Sequence, residues 1–182
     1  MSELTILTLI GSLRSASVNR QLAEAAAEVA PSGVQLEVFE DLGQLPFYNE
    51  DLDTADPPAA VTALRAAAAA ADAALVVTPE YNGSIPGVLK NAIDWLSRPF
   101  GASALKDKPL AVIGTAAGRY GGTWAHDETR KSFGIAGPRV IESIKLSLPI
   151  ATLGERHPRE NPVALSAVRE AVEQLAAEVE RT

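Results

Sequence analysis

Five times along the chain a short β-branched, apolar-rich run, alternating with polar residues at 34–39, is followed by a longer Ala-rich or amphipathic stretch, and no other feature narrows the fold as far. The apolar runs cover residues 5–10, 34–39, 73–78, 109–115 and 140–146. The stretches between and after them, at 17–30, 57–71, 86–97, 123–133 and 164–180, carry apolar residues at helical spacing or high Ala content. Continuous rather than alternating strands belong to parallel sheets covered by helices on both faces. The punctuation agrees. Ser17 or its neighbour is placed to cap the first helix, Pro31 and Gly33 end it, Pro57-Pro58 open the second, and Pro79 stops the third strand. In the last helix Leu165, Val168, Val172, Leu175 and Val179 recur every three to four residues. No repeat or linker interrupts the pattern, so one domain over 1–182 is expected, a length that buries about 70% of the unfolded surface.

Composition removes whole classes of chemistry. There is no Cys, hence no disulfide, thiolate metal site or cysteine nucleophile, and two His (His126 and His157) do not make a polyhistidine site. Sixteen basic against twenty-three acidic residues leave a formal charge of −7, which argues against nucleic acid or an anionic membrane as partner. The first basic residue, Arg14, follows the opening apolar run instead of preceding it, and no apolar run reaches the ~20 residues of a membrane span. A cytoplasmic protein is expected.

Ligands of parallel α/β sheets bind beyond the carboxyl ends of the strands, at the point where the strand order reverses. The loops after the first, third and fourth strands are therefore the candidates. The first, Gly11-Ser12-Leu13-Arg14-Ser15-Ala16-Ser17-Val18-Asn19-Arg20, packs hydroxyl, amide and guanidinium donors at a helix start, where unpaired N–H groups favour an anion such as phosphate. It has neither the Lys of a P-loop nor the spacing of a dinucleotide fingerprint. It reads equally as a Ser-rich connection with a capping Ser and a solvated Arg14. The second, Thr78-Pro79-Glu80-Tyr81-Asn82-Gly83-Ser84-Ile85-Pro86-Gly87, is stiffened by prolines and carries an Asn-Gly turn; a flat heteroaromatic ring lies well against such a loop. Glu80 is a candidate general base only if a partner group stands near it, and Tyr81 alternatively packs half-buried. The third, residues 115–122, holds three Gly in five residues, permitting close approach to a ligand.

Taken together, Gly11-Ser12-Leu13-Arg14-x-x-Ser17-x-Asn19 and Pro79-Glu80-Tyr81-Asn82-Gly83-Ser84-Ile85-Pro86-Gly87-x-Leu89-Lys90-Asn91-Ala92-Ile93-Asp94-Trp95 resemble the NADPH-dependent FMN reductases, the group that includes bacterial quinone, azo and chromate reductases. The resemblance runs over most of the chain. It implies a flavodoxin-like three-layer α/β sandwich with five parallel strands in the order 2-1-3-4-5. It also implies FMN as cofactor and NADPH or NADH as co-substrate. Hydride would pass through the flavin to a small-molecule acceptor in a ping-pong cycle, with no catalytic side chain required. By the same resemblance Ser12, Arg14, Ser17, Val18 and Asn19 would hold the phosphate. Pro79, Glu80, Tyr81, Asn82 and Gly83 would line the ring through main-chain groups, and Ala117 and Gly118 would close its other side. A homodimer or homotetramer is implied, with the helix of Asp94 and Trp95 near the subunit contact. Ile93, Trp95, Leu96, Pro99 and Phe100 supply more apolar surface than one helix face needs, though Trp95 reads equally as core.

The third loop departs from the family pattern: Arg119 and Tyr120 replace small residues, and would either stack on the nicotinamide or adenine of the co-substrate or partly cover the flavin. Two further readings stay open, a flavodoxin-like electron carrier and a non-catalytic nucleotide-binding module. Arg14 favours the reductase over the carrier, whose phosphate loop is Thr-rich without Arg. No nucleophile elbow supports a hydrolase. His126 is expected on a helix surface and His157 in solvent. Arg130, Lys131 and Arg139 are expected as ordinary surface residues, or else as partners of a 2′-phosphate.

Overall fold

The computed structural model describes residues 3–154 and 156–181. β1 (Leu4–Ile10), β2 (Val34–Val38), β3 (Ala73–Val77), β4 (Pro109–Ala116) and β5 (Arg139–Pro149) form one parallel sheet in the order β2-β1-β3-β4-β5. This is the flavodoxin-like order, and the order reverses between β1 and β3. Helices α1 (Val18–Glu28), α2 (Ala59–Ala70), α3 (Gly87–Leu96), α4 (Thr123–Ala136), α5 (Ile150–Leu153) and α6 (Pro162–Val179) cover it. Leu22 and Ala26 of α1 pack with Val168, Val172 and Leu175 of α6 on Ile6, Ile10, Leu75 and Ile113. On the other face Val61 and Leu64 of α2, Leu89 and Trp95 of α3 and Phe133 of α4 pack on Leu7, Leu9, Val76 and Val112. The central strands thus send apolar side chains both ways, which is why their runs are unbroken.

Local chemistry sets the ends of the elements. Ser17 is the N-cap of α1, its hydroxyl accepting from Arg20 N–H, and Asn161 caps α6 through Val163 and Ala164 N–H. The Ala-rich α2 has no C-terminal Gly; instead the Lys108 ammonium donates to the carbonyls of Ala68, Ala69 and Ala71 at 2.6–2.9 Å. A cation there also complements the helix dipole. Between β2 and α2 the expected loop holds two short 3-10 turns, Glu40–Gln44 and Glu50–Leu52.

Several expectations need correction. β5 runs three residues past its predicted end, to Pro149, because its register against β4 shifts between Leu110 and Val112 and then continues to Ala116. In α6 the core positions are Ala164, Val168, Ala171, Val172 and Leu175, while Leu165 is only half-buried. Trp95 is core: fully buried, with Nε1 donating to Pro46 O at 2.8 Å and the Tyr48 ring edge-on at 4.9 Å. Ile93 and Leu96 are buried too, so of that apolar group Phe100 is the large side chain left exposed. His157 is half-buried rather than solvated, its Nδ1 accepting from Arg159 N–H. Among the described residues no helix is long and apolar enough to cross a membrane.

Candidate active site

At the carboxyl ends of β1, β3 and β4, where the strand order reverses, a cleft of about 330 Å³ opens. Its lining includes nine of the twelve residues singled out above: Ser12, Arg14, Ser17, Val18, Asn19, Pro79, Glu80, Tyr81 and Ala117. Asn82 and Gly83 lie just beyond Tyr81, and Gly118 just beyond Ala117, with no heavy atom within 4 Å of where a Cβ would stand on it. Three further residues line it, two from the third candidate loop without an assigned role and one, Ile150, from outside every candidate loop. Thr115 and Ala116 continue β4 into the cleft, and Ile150 arrives from the first turn of α5, a four-residue helix with no periodic signal to mark it. A larger cavity of about 780 Å³ lies beside α2, but its polar lining is Asp51, Thr54, Asp56 and Thr62 with no basic side chain, so it offers nothing to an anion.

The first loop is a cradle of donors. Ser12 and Ser17 are buried yet face the cleft, and the N–H groups of Val18 and Asn19 stand ahead of the first rung of α1, which Gln21 N–H makes to Ser17 O. Arg14 is exposed at the mouth, donating to Ala16 O at 3.1 Å. Asn19 has a structural task as well: its Nδ2 donates to Thr115 O and its Oδ1 accepts from Thr115 N–H, both at 2.9 Å. The buried Thr115 hydroxyl, however, has no partner among the described residues. That hydroxyl is enclosed beneath the cleft, and a buried polar atom left unmet costs stability.

The second loop turns where its sequence says it should. Asn82 (φ 53°) and Gly83 (φ 74°) form the corner of a two-residue hairpin closed by reciprocal bonds between Tyr81 and Ser84. Those bonds use the Tyr81 N–H, and Thr78 Oγ1 uses Pro79 O. Among the described residues the loop's N–H groups of Glu80, Asn82, Gly83 and Ile85 are left without a hydrogen-bond partner. Among the described residues the Glu80 carboxylate makes no hydrogen bond or ion pair with another acid or base. Its carboxylate accepts from Ala125 N–H at 3.2 Å, capping α4 from outside, and Ser84 donates to Glu128 of the same helix at 2.6 Å.

Beneath the cleft lies a polar knot that sequence reasoning misread. His126 is fully buried, with Nε2 2.8 Å from Thr78 O and Nδ1 2.6 Å from Ser147 Oγ. A carbonyl only accepts, so Nε2 carries the proton and Nδ1 accepts from Ser147. Burial lowers the His126 pKa, reinforced by Arg130 and opposed by the Thr78 bond, Glu80 and Asp127. The imidazole is thus held neutral. It ties β3 and β5 across β4, at a point where Gly114 makes room: a Cβ there would stand 2.0 Å from Thr78 O and 2.7 Å from His126 Nε2. Arg130 is buried rather than on the surface, donating to Val112 O and Asp127, and burial lowers its pKa. Lys131 and Arg139 are exposed, Arg139 pairing with Glu178.

The comparisons with known proteins agree with this geometry. The family model described as NADPH-dependent FMN reductase matches residues 4–152. A quinone reductase of Pseudomonas putida is 46% identical over 128 residues, 70% of this chain and 68% of that protein. A 2-hydroxy-1,4-benzoquinone reductase from a Burkholderia species is 49% identical over 127 residues, again 70% and 68%. Among solved structures, the flavoenzyme NAD(P)H:acceptor oxidoreductase FerB of Paracoccus denitrificans superposes with a TM-score of 0.87 at 30% identity, covering 98% of both chains. With the donor loop, the proline-stiffened turn and the strand order all in place, the chain belongs to the NADPH-dependent FMN reductase family.

Proposed function

We propose that this protein is an FMN-dependent quinone reductase that takes its electrons from NADPH or NADH. The observation that carries the reading is the meeting of two unlike walls in one cleft: the Ser12–Asn19 donor loop and the flat, proline-stiffened Pro79–Tyr81 loop. A dianionic phosphate fits the first, and a planar heterocycle with carbonyl and nitrogen acceptors fits the second. Kinship with proteins named quinone reductase at 46–49% identity supports the acceptor class.

Bound FMN supplies the hydride chemistry; the rest falls to the chain. Ser12, Ser17 and the first N–H groups of α1 hold the phosphate, with the helix dipole behind them, and Arg14 neutralises it from the solvent side. Glu80 and Asn82 N–H would donate to the ring's acceptors, and Ala117 and Gly118 would border its other side while their small size keeps one face open. Nicotinamide and quinone would stack on that open face in turn, a ping-pong order. Glu80 is committed to α4, so protons for the reduced quinone come from solvent. The molecule acts as a homodimer or homotetramer, a reading supported by Phe100 and Ile135, exposed side by side on one hollow with Lys90 and Asp94.

An absorption spectrum of the purified protein with FMN, taken before and after anaerobic NADPH, tests this. A flavin band that bleaches and returns on adding a benzoquinone is expected. A band that NADPH leaves untouched points to an electron carrier instead, and absence of binding overturns the assignment.

A further inference from the structure

The third loop does more than close the cleft. Its turn from Gly118 to Gly121, closed by Gly121 N–H on Gly118 O at 3.0 Å, thrusts Arg119 and Tyr120 outward as the two corner residues. The turn is fixed in place: a Cβ on Gly121 would stand 2.6 Å from the backbone of Ser147 and Leu148, so this glycine sits directly on the end of β5. The Arg119 guanidinium lies 4.5 Å above the Tyr120 ring and also donates to the Tyr120 hydroxyl. Tyr120 meets Trp124 at 5.6 Å with their planes tilted by 46°. Trp124 in turn lies over the hairpin corner, with Cε3 3.6 Å from where Gly83 would carry a Cβ. A continuous shelf therefore runs from Arg119 through two aromatic rings to the turn that follows Tyr81, a residue of the cleft wall.

That shelf has no internal occupant. Tyr120 and Trp124 are 49% and 57% exposed, and Tyr81 beside them 47%. Large aromatics left open and adjoining mark a surface that receives something flat. Its charge is equally specific. Arg119 has no ion pair among the described residues: of the nearby carboxylates Glu80 accepts from Ala125 N–H, Glu128 from Ser84, and Asp127 pairs with Arg130. In a chain of formal charge −7 this places a cation without an ion-pair partner at the end of an aromatic shelf.

We propose that Arg119, Tyr120 and Trp124 form a specificity shelf that favours planar aromatic acceptors bearing a negative charge. The acceptor's ring stacks on Trp124, with the tilted Tyr120 ring against its edge, while its carboxylate, sulfonate or phenolate meets the Arg119 guanidinium. The assignment of reduced acceptors rests on the quinone-reductase reading; binding at the shelf does not.

Two readouts keep those apart. Trp95 is enclosed, so quenching of tryptophan emission by added aromatics reports on Trp124, the other of the two tryptophans. With naphthalene-2-sulfonate and naphthalene-2-methanol as non-reducible probes, the sulfonate is expected to half-saturate at a concentration at least fivefold lower. Arg119→Gln should erase that difference, as should high salt. In turnover, Arg119→Gln should shrink the preference for a sulfonated over a neutral naphthoquinone, expressed as the ratio of their KM values, by about five- to tenfold. Equal quenching by both probes in the unaltered protein overturns the shelf. So does an unchanged KM ratio, or a change that falls on the KM for NADPH instead, which would give Arg119 to the dinucleotide. Charge-dependent quenching in a protein that reduces neither quinone upholds the shelf and overturns the reductase assignment.

Discussion

At the scale of single residues, the meeting of the first and second loops in one cleft was legible because their chemistry is spelled in residue types: hydroxyls, an amide and a guanidinium at a helix start, then Pro, Asn and Gly at a turn. His126 and Arg130 were not legible. The buried face of α4 is Ala125, His126, Thr129, Arg130, Phe133 and Ala136, half of it polar, so apolar periodicity finds only part of the face. Polar groups go inside there because strand-end carbonyls, Thr78 O and Val112 O, need donors. This has a consequence for pH. The folded pKa of His126 is lowered, so the unfolded chain takes up its proton first, at about 6.5. Stability from this residue is complete above that value and falls as pH drops below it, by up to ~1.4 kcal/mol per unit until the folded-state pKa is reached. Urea midpoints between pH 7.5 and 5 should show the decline, and His126→Gln should flatten it; equal slopes would mean other groups govern acid stability. Arg14 gives a second prediction. As an exposed, charge-assisted contact its removal in Arg14→Ala should weaken FMN binding by about 1.5 kcal/mol, near tenfold by flavin fluorescence titration. Unchanged affinity would remove Arg14 from the site.

Elements came through well where they are long and periodic, and poorly where a register shift or a few residues decide the end. β5 looks short from its apolar run, yet the shift against β4 carries it on to Pro149, placing Ser147 beneath the cleft and Ile150 inside it. No local pattern announces this, because the pairing is with a strand some thirty residues away. The contact between β3 and β4 is equally silent in sequence. Gly114 reads as one more small residue in an apolar run, but at this crossing the Thr78 carbonyl passes where any side chain would stand. Gly114→Ala should therefore lower stability by about 2–4 kcal/mol through forced separation of the strands. Gly87→Ala, at the start of α3 with open space around it, should change it by less than ~0.5 kcal/mol. Comparable urea midpoints for the two variants would contradict the close approach.

For the whole molecule, the sheet order and the place of the cleft followed from strand–helix alternation and from the rule that ligands bind where strand order reverses. What alternation does not reveal is how three loops are held at one spacing, and a ligand that bridges them should report on the whole fold. At FMN a hundredfold above its dissociation constant, mass action adds about 2.7 kcal/mol. For a chain of this size that raises Tm by roughly 5–10 °C. A scan showing no rise would mean that flavin binds without bridging the loops, or not at all. The two bonds of Asn19 give this coupling a mechanical form. A primary amide has the donor and acceptor of a peptide group, and here it takes both main-chain atoms of Thr115, as an added strand would. The amino end of α1 is thereby spliced to the tip of β4, and the proposed phosphate pocket and the proposed ring pocket become the two jaws of one clamp. Neither jaw can shift without dragging the other, so whatever seats the tail of the cofactor also sets the gap that receives its head.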